Sequence, residues 1–271
     1  MTHPRGGLGE WEAAEVTRSA SHAARARSLR IRPTSAAVIA RYSSPPADAP
    51  DSLEYAYHLL GDVAGRTVLD LGCGEGRDAT LIAYRGARVC AMDISLDLLR
   101  VARERAAADG HQDAVTFRCG STHAIPLPDR SVDVVFGNVI LHHVDLARTA
   151  REVSRVLRPG GRAIFREPIR DSRALSIIRS CVPYRHAHVS PFERPLRWNE
   201  VTEFAAALGT LRYRRFELPP VRLLRVLSAS EALRKAALAS DRALLRRFRM
   251  LERYATIVVF EVRTQEPRSA L

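Results

Sequence analysis

The chain is nearly free of lysine. Lys235 is the only one, and arginine supplies the rest of a Lys+Arg total of 42, set against 30 acidic residues. A net charge of +12 is compatible with a nucleic-acid or membrane-surface partner. The arginines, however, run along the whole chain and are not clustered with aromatics, which make up only 6% of residues. With so much alanine beside it, the arginine bias reads as the imprint of a GC-rich bacterial coding sequence, and nucleic acid is not the expected partner. Cysteine is also scarce. Cys73, Cys90, Cys119 and Cys181 form no C-x-x-C pair, which argues against a zinc site or a disulfide framework and suits reduced thiols in a cytoplasm. No run of eighteen apolar residues occurs, so no membrane-spanning helix is expected. No apolar secretory segment opens the chain, and Glu10, Glu12 and Glu15 stand where a transit peptide lacks acids. Internal repeats are absent. The expected location is cytoplasmic.

What is present is an apolar fraction of 46% over 271 residues, enough for one large α/β domain with appendages. Residues 1–35 read as a frayed or partly helical arm; the sharper alternative is a helix that covers a site. Ser43–Pro50 is a linker by composition, and Asp51 is a plausible N-cap for a helix to Leu60. From Arg66 the pattern alternates. Strands are predicted at Thr67–Leu71, Arg88–Met92, Val115–Arg118, Val132–Phe136 and Arg162–Phe165. Helices are predicted at Asp78–Tyr84, from Ser95 to about Ala108, and at Leu146–Leu157 with "RPGG" as its stop. Such alternation means βαβ units and a parallel sheet. Beyond Glu167, helices are expected over Ser172–Ser180, Trp198–Leu208 and 221–250, and strands over Leu211–Leu218 and Ala255–Val262. The division is therefore 1–50 as arm and linker, 51–168 as ligand-binding core, and 169–271 as lid helices plus the last two strands of the same domain. Insertions after the fifth and sixth strands lie where a sheet of this kind binds its ligand, and substrate choice is expected to reside there.

The most informative stretch is Val68–Asp78, "VLDLGCGEGRD". A strand ends in D-x-G-x-G-x-G and leads into a helix, so backbone N–H groups gather at the helix start and glycines let a ligand approach closely. Asp93 closes the next strand in "VCAMDIS", where a carboxylate accepts from ribose hydroxyls. A triphosphate loop requires G-x-x-x-x-G-K-[ST], and no lysine follows. The dinucleotide fingerprint G-x-G-x-x-G fails because Arg77 holds the third glycine's place. Asp70 beside the loop is hostile to a pyrophosphate and welcoming to an ammonium group. S-adenosylmethionine carries adenosine, a sulfonium and an amino-acid tail, so its ammonium suits Asp70 and its carboxylate suits the loop N–H groups.

These motifs resemble those of class I S-adenosylmethionine-dependent methyltransferases, of the methyltransferase domain 11 and ubiquinone/menaquinone methyltransferase-like group. The resemblance covers about residues 52–168, through "VLDLGCGEG", "VCAMDIS", "AIPLPDRSVDVVFGNVILHHV" (Ala124–Val144) and "REVSRVLRPGG" (Arg151–Gly161). It implies a Rossmann-like, seven-stranded, mostly parallel sheet in the order 3-2-1-4-5-7-6, the last strand antiparallel, with helical lids after strands 5 and 6. It implies S-adenosyl-L-methionine as cofactor, held by Asp70, Gly72 and Gly74 at the methionine moiety, with Cys73 also in the cofactor-binding set, Asp93 at ribose, Ile94 on adenine, and Asn138 near the tail or the sulfonium region. Where the family often has Gly-Asp to receive the adenine amino group, this chain has Gly120-Ser121, so Ser121 and Thr122 are the expected neighbours there.

Methyl transfer is an in-line displacement on an already electrophilic carbon, so alignment supplies much of the acceleration and a base is needed only for a protonated nucleophile. His143 is the preferred base, with His142 and Glu167 as further candidates beside the fourth and fifth strands. Tyr42 and Tyr184 are candidate substrate contacts. For each of these, packing or hydrogen bonding in the core is the commoner fate. His186 and His188 lack further ligands, so no metal is expected. Asn138-Val139 replaces the (N/D)-P-P-(Y/F) of enzymes that methylate adenine or glutamine nitrogen. The expected function is O- or C-methylation of a small hydrophobic metabolite, in specialised bacterial metabolism. The alternatives are methylation of RNA or protein, and a non-methylating cyclase or decarboxylase that uses the same cofactor.

Overall fold

The computed structural model describes residues 8–28, 31–172, 194–221 and 230–264. Seven strands form one sheet: β1 (Thr67–Leu71), β2 (Arg88–Asp93), β3 (Val115–Cys119), β4 (Val132–Asn138), β5 (Leu157–Pro168), β6 (Thr210–Phe216) and β7 (Ile257–Arg263). Their order is β3-β2-β1-β4-β5-β7-β6. β1 through β5 pair in parallel, whereas β7 runs antiparallel between β5 and β6. The expected order therefore holds. Sequence direction reverses between β1 and β4, and in open α/β sheets the ligand crevice lies outside the carboxyl ends of the strands at that point.

Alternate residues of the strands feed opposite layers, as the two-residue pleat requires. Val68, Ala91, Phe136 and Ile164 face one layer with Tyr57 and Ile82. Leu69, Val135, Phe165 and Phe260 face the other with Val153 and Phe204. Each fully buried Leu or Phe contributes about 1.5–3 kcal/mol of transfer free energy, so the central strands form the rigid floor of the crevice.

The helices are α1 (Leu8–Ser28), α2 (Ala36–Ser43), α3 (Ser52–Leu60), α4 (Arg77–Ala83), α5 (Leu96–Ala108), α6 (Leu146–Val156), α7 (Trp198–Ala206) and α8 (Glu231–Arg247). Asp51, Ser95 and Asp145 cap α3, α5 and α6 through side-chain oxygens that accept from Leu53, Leu98 and Arg148 N–H. Such caps satisfy amides that no helical turn can reach.

Several boundaries differ from the sequence reading. α6 stops at Val156, and β5 already begins at Leu157. A register break between Val132 and Val134 absorbs "RPGG" before regular pairing resumes at Arg162. β6 ends at Phe216, earlier than expected, because the amides of Glu217 and Leu218 turn away to Asp241 at 3.0 and 2.9 Å. The helix expected over 221–250 is α8 from its Ser230 cap, followed by a 3-10 segment at Arg249–Tyr254. The helix expected over Ser172–Ser180 lies outside the described residues apart from Ser172.

The N-terminal segment takes the sharper of its two readings. α1 is a 21-residue helix whose Ala23 and Ala26 pack on Leu98 and Val101 of α5. α2, capped by Ser35, was not foreseen in a region read as arm and linker.

Candidate active site

β1 delivers the glycine loop to the crevice with left-handed backbone at Gly72 (φ +75°), Gly74 (+51°) and Gly76 (+76°), the region only glycine enters freely. A Cβ on Gly72 would lie 2.5 Å from Cδ1 of Ile140, whereas one on Gly74 would meet nothing within 4 Å. The loop is thus pressed against the turn after β4 on one side and open to a cavity on the other. Gly76 packs closely on α5, where a Cβ would lie 2.7 Å from that of Ala102.

The loop amides are less available than expected. Gly72 and Cys73 N–H donate to Met92 O at 2.8 and 2.9 Å, and Gly76 N–H donates to Cys73 O at 2.9 Å. Gly74 N–H donates to Asp93 Oδ2 at 2.9 Å. All four of these N–H groups, expected to hold the methionine tail, are engaged within the protein in this structure. The guanidinium groups that face the same cavity are those of Arg18 and Arg25, both from α1.

The cavity has a volume of about 520 Å³ and is walled by the glycine loop, the ends of β2 and β3, the turn after β4, and α1. Gly72, Gly74, Asp93, Ile94, Ser121 and Thr122 all line it, as do Asn138 and His143. Eight of the residues singled out in the sequence therefore converge. Asp93 is anchored by Gly74 N–H and by Ser95 N–H at 2.9 Å. Burial raises its carboxyl, and the two amides oppose that shift. Asn138 Nδ2 donates to Asp78 Oδ2 at 2.9 Å, and its Oδ1 accepts from Arg166 at 3.2 Å. Its neighbour Val139 holds a left-handed φ of +63°, with N–H bonded to Arg166 O at 2.8 Å. That strained residue turns the chain sharply at the cavity wall.

Asp70 and Cys73 lie behind the loop, buried. Asp70 Oδ2 has no hydrogen-bond partner. Burial, then the carboxylates of Asp78 and Asp93, push its carboxyl well above the usual range against the pull of the Ala79 amide. A buried acid with an unpartnered oxygen is a costly arrangement unless something cationic answers it. Cys73 is buried too, and its Sγ reaches only Gly74 O at 3.8 Å; it contributes to the floor and does not line the cavity.

His142 and Glu167 have a different role from the one considered. Glu167 is fully buried. Its Oε1 accepts from the amides of Ile140 and Leu141 at 2.7 Å each, and its Oε2 lies 2.8 Å from His142 Nδ1. Neither side chain lines the cavity. Together they lock the 3-10 turn Leu141–His143 that aims His143 inward. His143 Nδ1 lies 3.4 Å from Glu15 Oε1 of α1 without forming a hydrogen bond. Burial raises the Glu15 carboxyl, but the adjacent His143 and Arg18 pull it down further, and the net direction is downward.

Tyr42 belongs to α2 and packs on Tyr57 at 5.0 Å between ring centroids. It lines an adjoining cavity of about 690 Å³, which shares Asn138, His22 and Arg25 with the first. Tyr184 lies outside the described residues. Among the described residues, no group of histidine, cysteine and acidic side chains could hold a metal ion, and no helix is long and apolar enough to cross a membrane.

Sequence reasoning missed the contribution of α1: Glu12, Glu15, Arg18 and His22 all face the cavity. The signal was the cluster of acids in an otherwise acid-free arm. Asp78 was also missed. It accepts from Tyr57 Oη at 2.8 Å and from Asn138, tying α3, α4 and β4 together under the site.

This donor set fits S-adenosyl-L-methionine. The glycine cradle is open at Gly74, Asp93 lines the same cavity, and the orphaned Asp70 oxygen lies beneath. Residues 69–165 match the family described as a methyltransferase domain. Methyltransferase GfsG of Streptomyces halstedii is 39% identical over 111 residues, 40% of each chain. The chain spans about half or less of the length of such curated relatives. Among solved structures, geranyl diphosphate C-methyltransferase from Streptomyces coelicolor superposes with TM-score 0.55 at 21% identity, covering 78% of this chain and 76% of that one. The [4+2]-cyclase SpnF superposes with TM-score 0.54 at 20% identity, covering 76% and 77%. Fold and site define a class I Rossmann-like S-adenosylmethionine-binding domain. Residues 69–165 form a methyltransferase domain on this fold, and S-adenosyl-L-methionine is its cofactor.

Proposed function

We propose that the protein methylates oxygen or carbon of a small, largely hydrophobic metabolite. The observation that carries this reading is the junction of two cavities at Asn138, with His143 on the wall of the first. The cofactor, when bound, supplies the electrophilic methyl group. Asp93 orients its ribose, and Asp70 answers the charge of its ammonium. The second cavity receives the acceptor among Ile31, Val38, Tyr42, Leu53 and Leu81. Holding the two reactants in line is the main contribution of the protein. His143 takes the proton from an acceptor hydroxyl where one must be removed. The geranyl diphosphate methyltransferase of the same fold supports an apolar acceptor, and a setting in specialised bacterial metabolism is consistent with the Streptomyces relative.

The test is mass spectrometry of phenols, quinones, isoprenoid and polyketide alcohols incubated with protein and S-adenosylmethionine. A product heavier by one methylene, formed together with S-adenosylhomocysteine, is the expected result. A second reading is favoured by the likeness to the [4+2]-cyclase SpnF: the cofactor stays intact while the substrate rearranges. Conversion of substrate without consumption of cofactor would establish that reading and exclude the first.

A further inference from the structure

α1 turns a polar stripe toward the cavity. Glu12, Glu15, Ser19 and His22 follow at spacings of three or four and all line it, as positions on one helix face do. A helix that merely roofed an apolar cleft would present its apolar face there. Polar groups held in such a place need polar partners; Glu15 has Arg18 and His143 beside it, and His22 has Glu75. Glu12 is partnered only in part. Its Oε1 accepts from Ser121 Oγ at 2.7 Å and lies 3.3 Å from His123 Nδ1, whereas no hydrogen bond reaches Oε2 among the described residues. The Ser121 hydroxyl commits its one proton to Glu12 and accepts from His123 N–H at 3.1 Å.

This carboxylate stands at one end of the cofactor cavity. With ribose at Asp93, the purine extends past the end of β2, along Ile94 and Leu98 and toward Gly120 and Ser121, all of them cavity walls. Its exocyclic amino group is a donor and requires an acceptor once removed from water. Asp93 already receives two amides, and the Ser121 hydroxyl is engaged. The Glu12 carboxylate is the charged acceptor with an open oxygen at that end.

We propose that Glu12 is a cofactor-specificity residue: α1 delivers its carboxylate to accept from the exocyclic amino group of adenine, so the nucleoside site is complete only with α1 docked. This rests on the cofactor assignment above. Ser121 and His123 are then positioning residues that hold one carboxylate oxygen and leave the other to the ligand.

The test is calorimetric binding of two probes to the full chain: S-adenosylhomocysteine, and S-inosylhomocysteine, in which a carbonyl replaces the amino group. A site built to accept a hydrogen bond rejects a ligand that offers another acceptor. Wild type is expected to prefer the adenosine compound by about 100-fold or more, and Glu12→Gln to bring that ratio below about tenfold. The amide oxygen introduced by this substitution can still accept from Ser121, so docking of α1 is retained. Thermal melting of wild type and variant reports folding. An unchanged ratio in folded Glu12→Gln overturns the proposal while leaving the cofactor assignment standing. Wild type that binds neither probe overturns both.

Discussion

Glu167 Oε2 and His142 Nδ1 lie 2.8 Å apart with both side chains buried, and the other oxygen of Glu167 receives two successive amides of the turn that follows β4. A carboxylate so fully engaged holds the backbone and does not meet substrate. Glu167→Ala leaves two buried amides and an imidazole without their acceptor. It should lower unfolding free energy by about 3 kcal/mol or more, read by urea denaturation. Stability equal to wild type, with methyl transfer abolished, would return Glu167 to the reacting centre.

His143 is set apart from His142 by its place on the cavity wall. His143→Ala should reduce turnover of an accepted hydroxyl substrate by about 100-fold or more while leaving S-adenosylhomocysteine affinity within about threefold of wild type, a difference of well under 1 kcal/mol. Calorimetry and single-turnover rates separate the two effects. Equal losses in both would make His143 a cofactor contact.

Gly72 and Gly74 share a left-handed backbone but not their surroundings. Either alanine substitution incurs about 1–2 kcal/mol of backbone strain. Gly72→Ala adds the clash with Ile140, so its melting temperature should fall further. Gly74→Ala meets open space in the protein, so its loss should show more in cofactor affinity than in melting. The reverse ranking would mean that the cradle does not face the ligand.

Asp70 yields a prediction in pH. Its folded-state carboxyl titrates above its unfolded value, so the buried charge opposes folding at neutral pH. Stability on its account rises as pH falls through the raised value and levels off below the ordinary carboxylate range. A bound ammonium favours the ionised form. Cofactor binding should therefore release protons, and affinity should weaken as pH falls through the raised value. Calorimetry in buffers of different ionisation enthalpy measures this release, which Asp70→Asn should diminish. Proton uptake by wild type would reverse the assignment.

Much of this was legible in the sequence because it depends on local pattern. The mostly apolar run Val68–Leu71 before three alternating glycines, and Asp93 at the end of the next strand, marked both the sheet and the cradle. Asn138 and Ser121 were placed by the family resemblance, just beyond the strands predicted at Val132–Phe136 and Val115–Arg118. The role of Glu167 was not legible: a carboxylate at a strand end can face a cavity or turn back to a loop, and only the path of residues 139–143 decides which. The engagement of the glycine-loop amides depends on pairing with β2, through Met92 O and Asp93, which no local pattern reveals. α1 was legible only as one of two readings of the arm, for another reason. Its cavity face is polar and its packing face is alanine, so the apolar periodicity that reveals most helices is missing from it.

The central claim is that the cradle between Asp70 and Asp93 holds S-adenosylmethionine. The most direct measurement is titration of the ligand-stripped full chain with S-adenosylhomocysteine by calorimetry, beside Asp93→Ala verified as folded by circular dichroism. One molecule bound per chain, with affinity reduced about tenfold or more in the variant, is the predicted result. A folded wild-type chain that takes up none, or a variant that binds as tightly as wild type, would contradict it.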